Sequence, residues 1–140
     1  MINPQGNVGA LRIEFVNITN NHVSSCRGHG IGYTANYVTV ANNDFYNIAR
    51  HGIYHYGGLC CSIANNTFKD TGKEDGRYSI VVGGNSAESS KGVSITGNTI
   101  ANLRGISVNS NVAGVIVSSN VGQVTNNAGA SCTTVNNMTI

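Results

Sequence analysis

A chain of 140 residues, 40% of them hydrophobic, is sized for one domain around one core. Its charged fraction, 10%, lies far under the roughly 25% of an average soluble domain, so Asn, Gly and hydroxyl side chains must cover much of the surface. A net charge of +2 with no run of Lys or Arg gives no electrostatic footprint for nucleic acid or anionic lipid, and the longest apolar runs are strand-sized, which excludes a bilayer-spanning helix.

Residues 1–10 read as an N-terminal lead that lacks the basic and apolar regions of a signal peptide. A repeated pattern occupies residues 11–140. The stretch Val16-Asn-Ile-Thr-Asn-Asn-His-Val23 returns as Val38-Thr-Val-Ala-Asn-Asn-Asp-Phe45, Cys61-Ser-Ile-Ala-Asn-Asn-Thr-Phe68 and Val93-Ser-Ile-Thr-Gly-Asn-Thr-Ile100, and in part as Val115-Ile-Val-Ser-Ser-Asn-Val-Gly122. Its first apolar slot falls at Val16, Val38, Cys61, Val93, Val115 and Met138, in steps of 22, 23, 32, 22 and 23 residues. A period in the low twenties predicts stacked repeats. Alternation of apolar and polar residues predicts strands within them and excludes helical repeats, which need a 3.6-residue spacing.

A second strand phrase follows in each repeat, at Gly30-Ile31, Gly52-Ile53, Ser79-Ile80 and Gly105-Ile106, with Tyr33, His55, Val82 and Val108 two residues on. Stacking such repeats about 4.8 Å apart pairs their backbones and lines up like side chains in a narrow apolar core. The third repeat is long because of two insertions, Lys69–Ser79 and Gly83–Gly92, which hold the densest charge of the chain. Insertions of this kind map to surface loops and often build a binding face. The four cysteines, Cys26, Cys60, Cys61 and Cys132, lack CxxC spacing and are expected to be small buried or half-buried thiols.

These repeats resemble the right-handed parallel β-helix of the pectate-lyase-like superfamily, and most of all the bodies of bacteriophage tailspikes and related carbohydrate-active proteins. The resemblance implies an all-β fold, a single-stranded parallel β-helix of about five coils over residues 11–140. It also implies an inward ladder at Asn21, Asn43, Asn66, Asn98 and Asn120. A tight turn needs a residue tolerant of left-handed angles, and buried turn groups need partners that a carboxamide supplies, so each of these Asn residues is expected to serve both needs. Neither end shows a cap, as expected of a piece of a longer β-helix or of a subunit covered by partner chains. The family implies a polysaccharide partner, side-by-side homotrimers and a place on a virion tail or outside the cell.

What differs between repeats is where chemistry is expected. His29 and His51 share one slot, each followed by Gly-Ile, and Tyr78 and Arg104 continue the column. Arg50 and Arg77 align beside it, and Tyr54 points outward. Such a row suits a sugar, whose CH faces pack on planar rings while N–H donors meet its hydroxyls or carboxylates; it equally suits plain polar turn residues. His55 falls in an inward slot, away from its fellow histidines, so no metal site and no cofactor is expected. Acid candidates for glycoside cleavage are Asp70, Glu74, Asp75 and Glu88. Hydrolysis would need two of them about 5–5.5 Å apart for retention or 6.5–9.5 Å for inversion. A lyase would instead need a base and positive charge near a uronate, from Arg50, His51, Tyr54, Arg77 or Tyr78. The chain departs from known enzymes of the family: it has no calcium-binding Asp cluster, no paired Asp beside Gly28-His29-Gly30 and no Asp-Pro-His-Glu. A non-catalytic fibre segment that grips glycan or spaces distant parts is the alternative.

Overall fold

The computed structural model describes residues 14–83, 89–102 and 104–139. They form an all-β structure of three sheets in which every pairing is parallel. The first sheet takes one strand from each repeat, Asn17–Thr19, Thr39–Ala41, Ser62–Ala64, Ser94–Thr96, Val115–Ser118 and Cys132–Val135, in chain order. Its register puts Ile18, Val40, Ile63, Ile95 and Val117 in one inward column, and the last four of these are completely buried. Parallel strands buried on one face need this repetition of β-branched residues, because each side chain packs on its own counterpart one strand away.

The second sheet stacks His22–Cys26, Asp44–Ile48, Thr67–Thr71 and Thr99–Ala101. Val23, Phe45, Phe68 and Ile100 align inward there, and the Phe45 and Phe68 rings stack at 4.7 Å and 4°. The third sheet carries Ile31–Thr34, Ile53–Leu59, Ile80–Val82, Ile106–Val108 and Val124–Asn126, with short strands Ser90–Lys91 and Val112–Ala113 extending it beside Gly58 and Leu59. Ile31, Ile53, Ile80 and Ile106 close the core from this side.

Left-handed residues recur every five positions and turn the chain between sheets: Phe15, Asn20 and Ser25; Tyr37, Asn42 and Asn47; Cys60, Asn65 and Asp70. This corrects one expectation. The left-handed corner falls on the residue before each ladder Asn, at Asn20, Asn42, Asn65, Gly97, Ser119 and Asn136. The ladder residue is thereby freed to turn its side chain inward. Asn43, Asn66, Asn98 and Asn120 are buried, whereas Asn21 is exposed.

Each rung gives its backbone N–H and its Nδ2 to the carboxamide oxygen of the next. Asn43 reaches Asn66 at 3.0 Å through both atoms, and Asn98 reaches Asn120 at 2.9 Å through both. Nδ2 also serves strand carbonyls, as Asn43 does for Ile18 at 2.8 Å and Ala41 at 3.0 Å.

The end of the chain gives a second correction. Val115 pairs with Cys132, and Asn120 donates to Asn137, 17 residues on, so the last repeat is short. Met138 bridges Val121, in line with Thr99 of the second sheet, and does not share the slot of Val115. Cys60 departs from expectation too: it is exposed, because it occupies a left-handed corner, while Cys61 and Cys132 are buried and Cys26 half-buried. All four thiols are free.

Candidate functional site

The His-Gly-Ile phrase leads into the third sheet, and its glycine explains where the histidine sits. A Cβ added at Gly30 would lie 2.7 Å from the Gly52 carbonyl oxygen and 3.0 Å from the Phe45 ring, and one at Gly52 would lie 2.7 Å from the Ser79 oxygen and 2.8 Å from the Phe68 ring. At Gly30 and Gly52 the missing Cβ lets adjacent repeats close this tightly, while Ser79 takes the same slot in the third repeat. The histidines one residue earlier are brought ring on ring, with centroids 5.1 Å apart and planes 5° from parallel.

Backbone amides fix both rings. The His51 N–H donates to His29 Nδ1 at 3.2 Å, and the Tyr78 N–H donates to His51 Nδ1 at 3.0 Å. The Tyr78 carbonyl oxygen also lies 3.2 Å from His51 Nδ1. An amide can only donate, so the neutral ring with its proton on Nε2 is the one that satisfies the Tyr78 N–H. Burial, followed by the charges of Arg50 and Arg77, holds the His29 pKa below its usual value. For His51 burial dominates, the Tyr78 contact opposes it, and the pKa falls to about 4. Both imidazoles are neutral at pH 7.

Tyr54 stands edge-on to both rings, at 5.2 Å from His29 and 4.9 Å from His51. It is half-buried, on the outward side of its strand as expected, and burial raises its hydroxyl pKa. Tyr56, absent from the candidates named from sequence, completes the cluster by stacking on Tyr54 at 4.0 Å. The alternation that turns Tyr54 outward turns Tyr56 outward too, so the signal was present in Tyr54-x-Tyr56. A register shift leaves Tyr56 as the extra residue between the Tyr33–His55 and Thr34–Gly57 pairs, and Gly32 leaves room for its ring, since a Cβ there would lie 3.2 Å from it.

Arg50 and Arg77 rim the cluster and share one carboxylate. Arg50 Nε lies 3.3 Å from Glu74 and Arg77 Nε 3.9 Å. At 3.9 Å the second contact is an ion pair and not a hydrogen bond, which is why the Arg77 Nε, buried, has no hydrogen-bond partner among the described residues. The inserted loop carrying Glu74 folds back on the preceding repeat, with the Glu74 N–H on the Ala49 carbonyl at 2.9 Å and the Gly72 N–H on the Arg50 carbonyl at 2.9 Å.

The remaining candidates scatter. Asp75 is fully exposed and sits 3.4 Å from Arg104. Asp70 takes a left-handed corner, φ 53°, with its N–H on Asn102 Oδ1 at 2.9 Å. Glu88 lies outside the described residues. The column continues in register through Ile53, Ile80 and Ile106, but among the described residues ring stacking stops at His51, and Tyr78 contributes its backbone.

His55 lies on the other face of the same strand, fully buried against Tyr33 at 4.9 Å. Rings stacked at 5.1 Å hold equivalent nitrogens too far apart for one ion that needs about 2.0–2.1 Å to each. Among the described residues no three His, Cys, Asp or Glu side chains gather as metal ligands. The arrangement is thus an aromatic wall with a cationic rim, chemically suited to CH faces and hydroxyls. Comparison with family models, with curated proteins and with solved structures returns no match.

Proposed function

We propose that the chain winds as a right-handed parallel β-helix whose third-sheet wall grips a polysaccharide. The carrying observation is the cluster of His29, His51, Tyr54 and Tyr56, whose rings contact one another beside the Arg50 and Arg77 guanidiniums. Support for the winding comes from the register: each of the three sheets takes successive repeats in order, and the Asn row joins them. A glycan chain has planar CH patches and hydroxyls at regular intervals, and a wall of fixed rings with guanidinium donors meets both with little ordering cost. Gripping is favoured over cleavage because Glu74 and Asp75 are engaged with arginines and Asp70 serves a corner. In the same reading the chain is part of a trimeric tailspike-like or secreted assembly.

The test is a panel of bacterial surface and plant polysaccharides, followed by retention on immobilised glycan, by reducing ends and by ultraviolet absorbance of unsaturated uronate products. Retention of at least one glycan without product is expected. Tyr54→Ala and Tyr56→Ala should each weaken it about three- to tenfold, from the loss of about 0.5–1.5 kcal/mol of ring packing. Retention unchanged by both substitutions, or no retention by any glycan, overturns the wall. Product that disappears when Asp70, Glu74, Asp75 and Glu88 are replaced together by amides would establish cleavage instead.

A further inference from the structure

We infer that His29 and His51 form an acid-sensitive latch that ties three successive repeats together through their Nδ1 atoms. The molecule contains two side-chain ladders. In the Asn row, each backbone N–H donates to the carboxamide of the following repeat, as Asn43 does to Asn66. In the His row the direction is reversed: the following repeat's N–H donates to the preceding ring, His51 to His29 and Tyr78 to His51. A carboxamide oxygen accepts at any ordinary pH. An Nδ1 accepts only while the ring is neutral, and protonation turns it into a second donor facing a backbone donor.

The two rungs respond differently. His51 has the Tyr78 carbonyl 3.2 Å from Nδ1, so its protonated ring can exchange the Tyr78 amide for that oxygen without leaving its place. For His29 the structure shows no such carbonyl among the described residues, so its protonation breaks the hydrogen bond from the His51 N–H outright. The groups facing the pair are Arg50 and Arg77, which oppose a positive charge, Glu74, which favours it, and the rings of Tyr54 and Tyr56. Two imidazolium rings stacked at 5.1 Å also repel one another. Protonation of His29 therefore unmakes the stack, and Tyr54 loses the edge-on contact that orients it. Release of a bound glycan in acid follows, a consequence that rests on the wall being the glycan site.

Residue-resolved amide exchange on the full chain between pH 7 and pH 4 tests the latch, with protection corrected for the intrinsic pH dependence of exchange. Protection at the His51 amide is expected to fall at least about tenfold more than at Asn43 and Asn66, whose acceptors do not titrate. In His29→Asn the Oδ1 takes the place of Nδ1, so His51 protection should persist and its extra acid loss vanish. His51 protection that tracks Asn43 and Asn66 throughout overturns the latch, as does an acid loss that survives in His29→Asn. Ring nitrogen shifts of the unmodified protein supply a check independent of that variant: a proton on Nε2 of both rings at pH 7 is expected, and a proton on Nδ1 of His29 overturns the inference. If protection falls as expected while a retained glycan stays bound, the latch stands and the wall is not the glycan site.

Discussion

His55 offers the sharpest test of the core. It is completely buried, neither ring nitrogen has a hydrogen-bond partner among the described residues, and the hydroxyl of the neighbouring Tyr33 is also unpaired. Burial alone lowers its pKa from 6.5 to about 4. The unfolded chain binds a proton on this ring below pH 6.5, and the folded chain refuses it until about pH 4. Through that window the unfolded state holds more protons, so stability falls as pH falls. At roughly 1.4 kcal/mol per pH unit the loss is about 3 kcal/mol, complete near pH 4.

His55→Leu removes this dependence while keeping an apolar volume, as Val82 and Val108 do in the same column. At pH 7 the variant escapes the cost of two unpaired nitrogens, on the order of 1–3 kcal/mol, against a repacking loss below about 1.5 kcal/mol. It should therefore be as stable as the parent or more so. Urea denaturation at pH 7, 5.5 and 4 gives the difference between the two proteins at each pH. A gap that widens in favour of the variant by about 3 kcal/mol on acidification is expected. A gap independent of pH would show that the ring is solvated or paired, and the reasoning would fail.

Other outcomes follow from named contacts. Asn43→Ala strips partners from the half-buried Ile18 and Ala41 carbonyls and from the Asn21 N–H and should cost about 3 kcal/mol, whereas Asn21→Ala at an exposed rung should cost under about 1 kcal/mol. Equal costs in urea titrations would contradict the inward row. Gly52→Ala drives a methyl against the Ser79 carbonyl and the Phe68 ring and should lose about 3 kcal/mol, with a lowered melting temperature as the readout. Asp70→Gly relieves a left-handed side chain while keeping the N–H that meets Asn102, and should gain about 1 kcal/mol; a loss would show that the carboxylate itself holds the corner.

Much of the fold was legible because every repeat repeats the same solution. Val16, Val38, Cys61, Val93 and Val115 are spaced as the paired strands are, and the Asn positions fell where the carboxamides stack. The failure at Met138 came from holding the period fixed. Cys132, Thr134 and Asn137 carry the same phrase at a shorter step, and a cysteine in the first slot looks no different from one elsewhere.

Asn-Asn pairs hid a division of labour, since both residues tolerate left-handed angles and only the backbone shows which one adopts them. The His29 and His51 stack could be read from their shared slot, but the amides that seize Nδ1 could not, because they come from the backbone of the next repeat. For acids on an inserted loop, composition cannot separate a free carboxylate from one claimed by an arginine, as Glu74 is.

The Asn row has an electrical direction. Each carboxamide oxygen from Asn43 to Asn137 receives N–H groups from the rung before it, so these side-chain dipoles all point the same way along the stack and polarise one another. Their oxygens face the Asn21 end. There the Asn21 oxygen accepts from no described residue, which leaves that end rich in acceptor and the Asn137 end rich in donor. Two such stacks laid end to end would join favourably head to tail and would repel head to head, a preference carried by side chains independently of the direction of the strands.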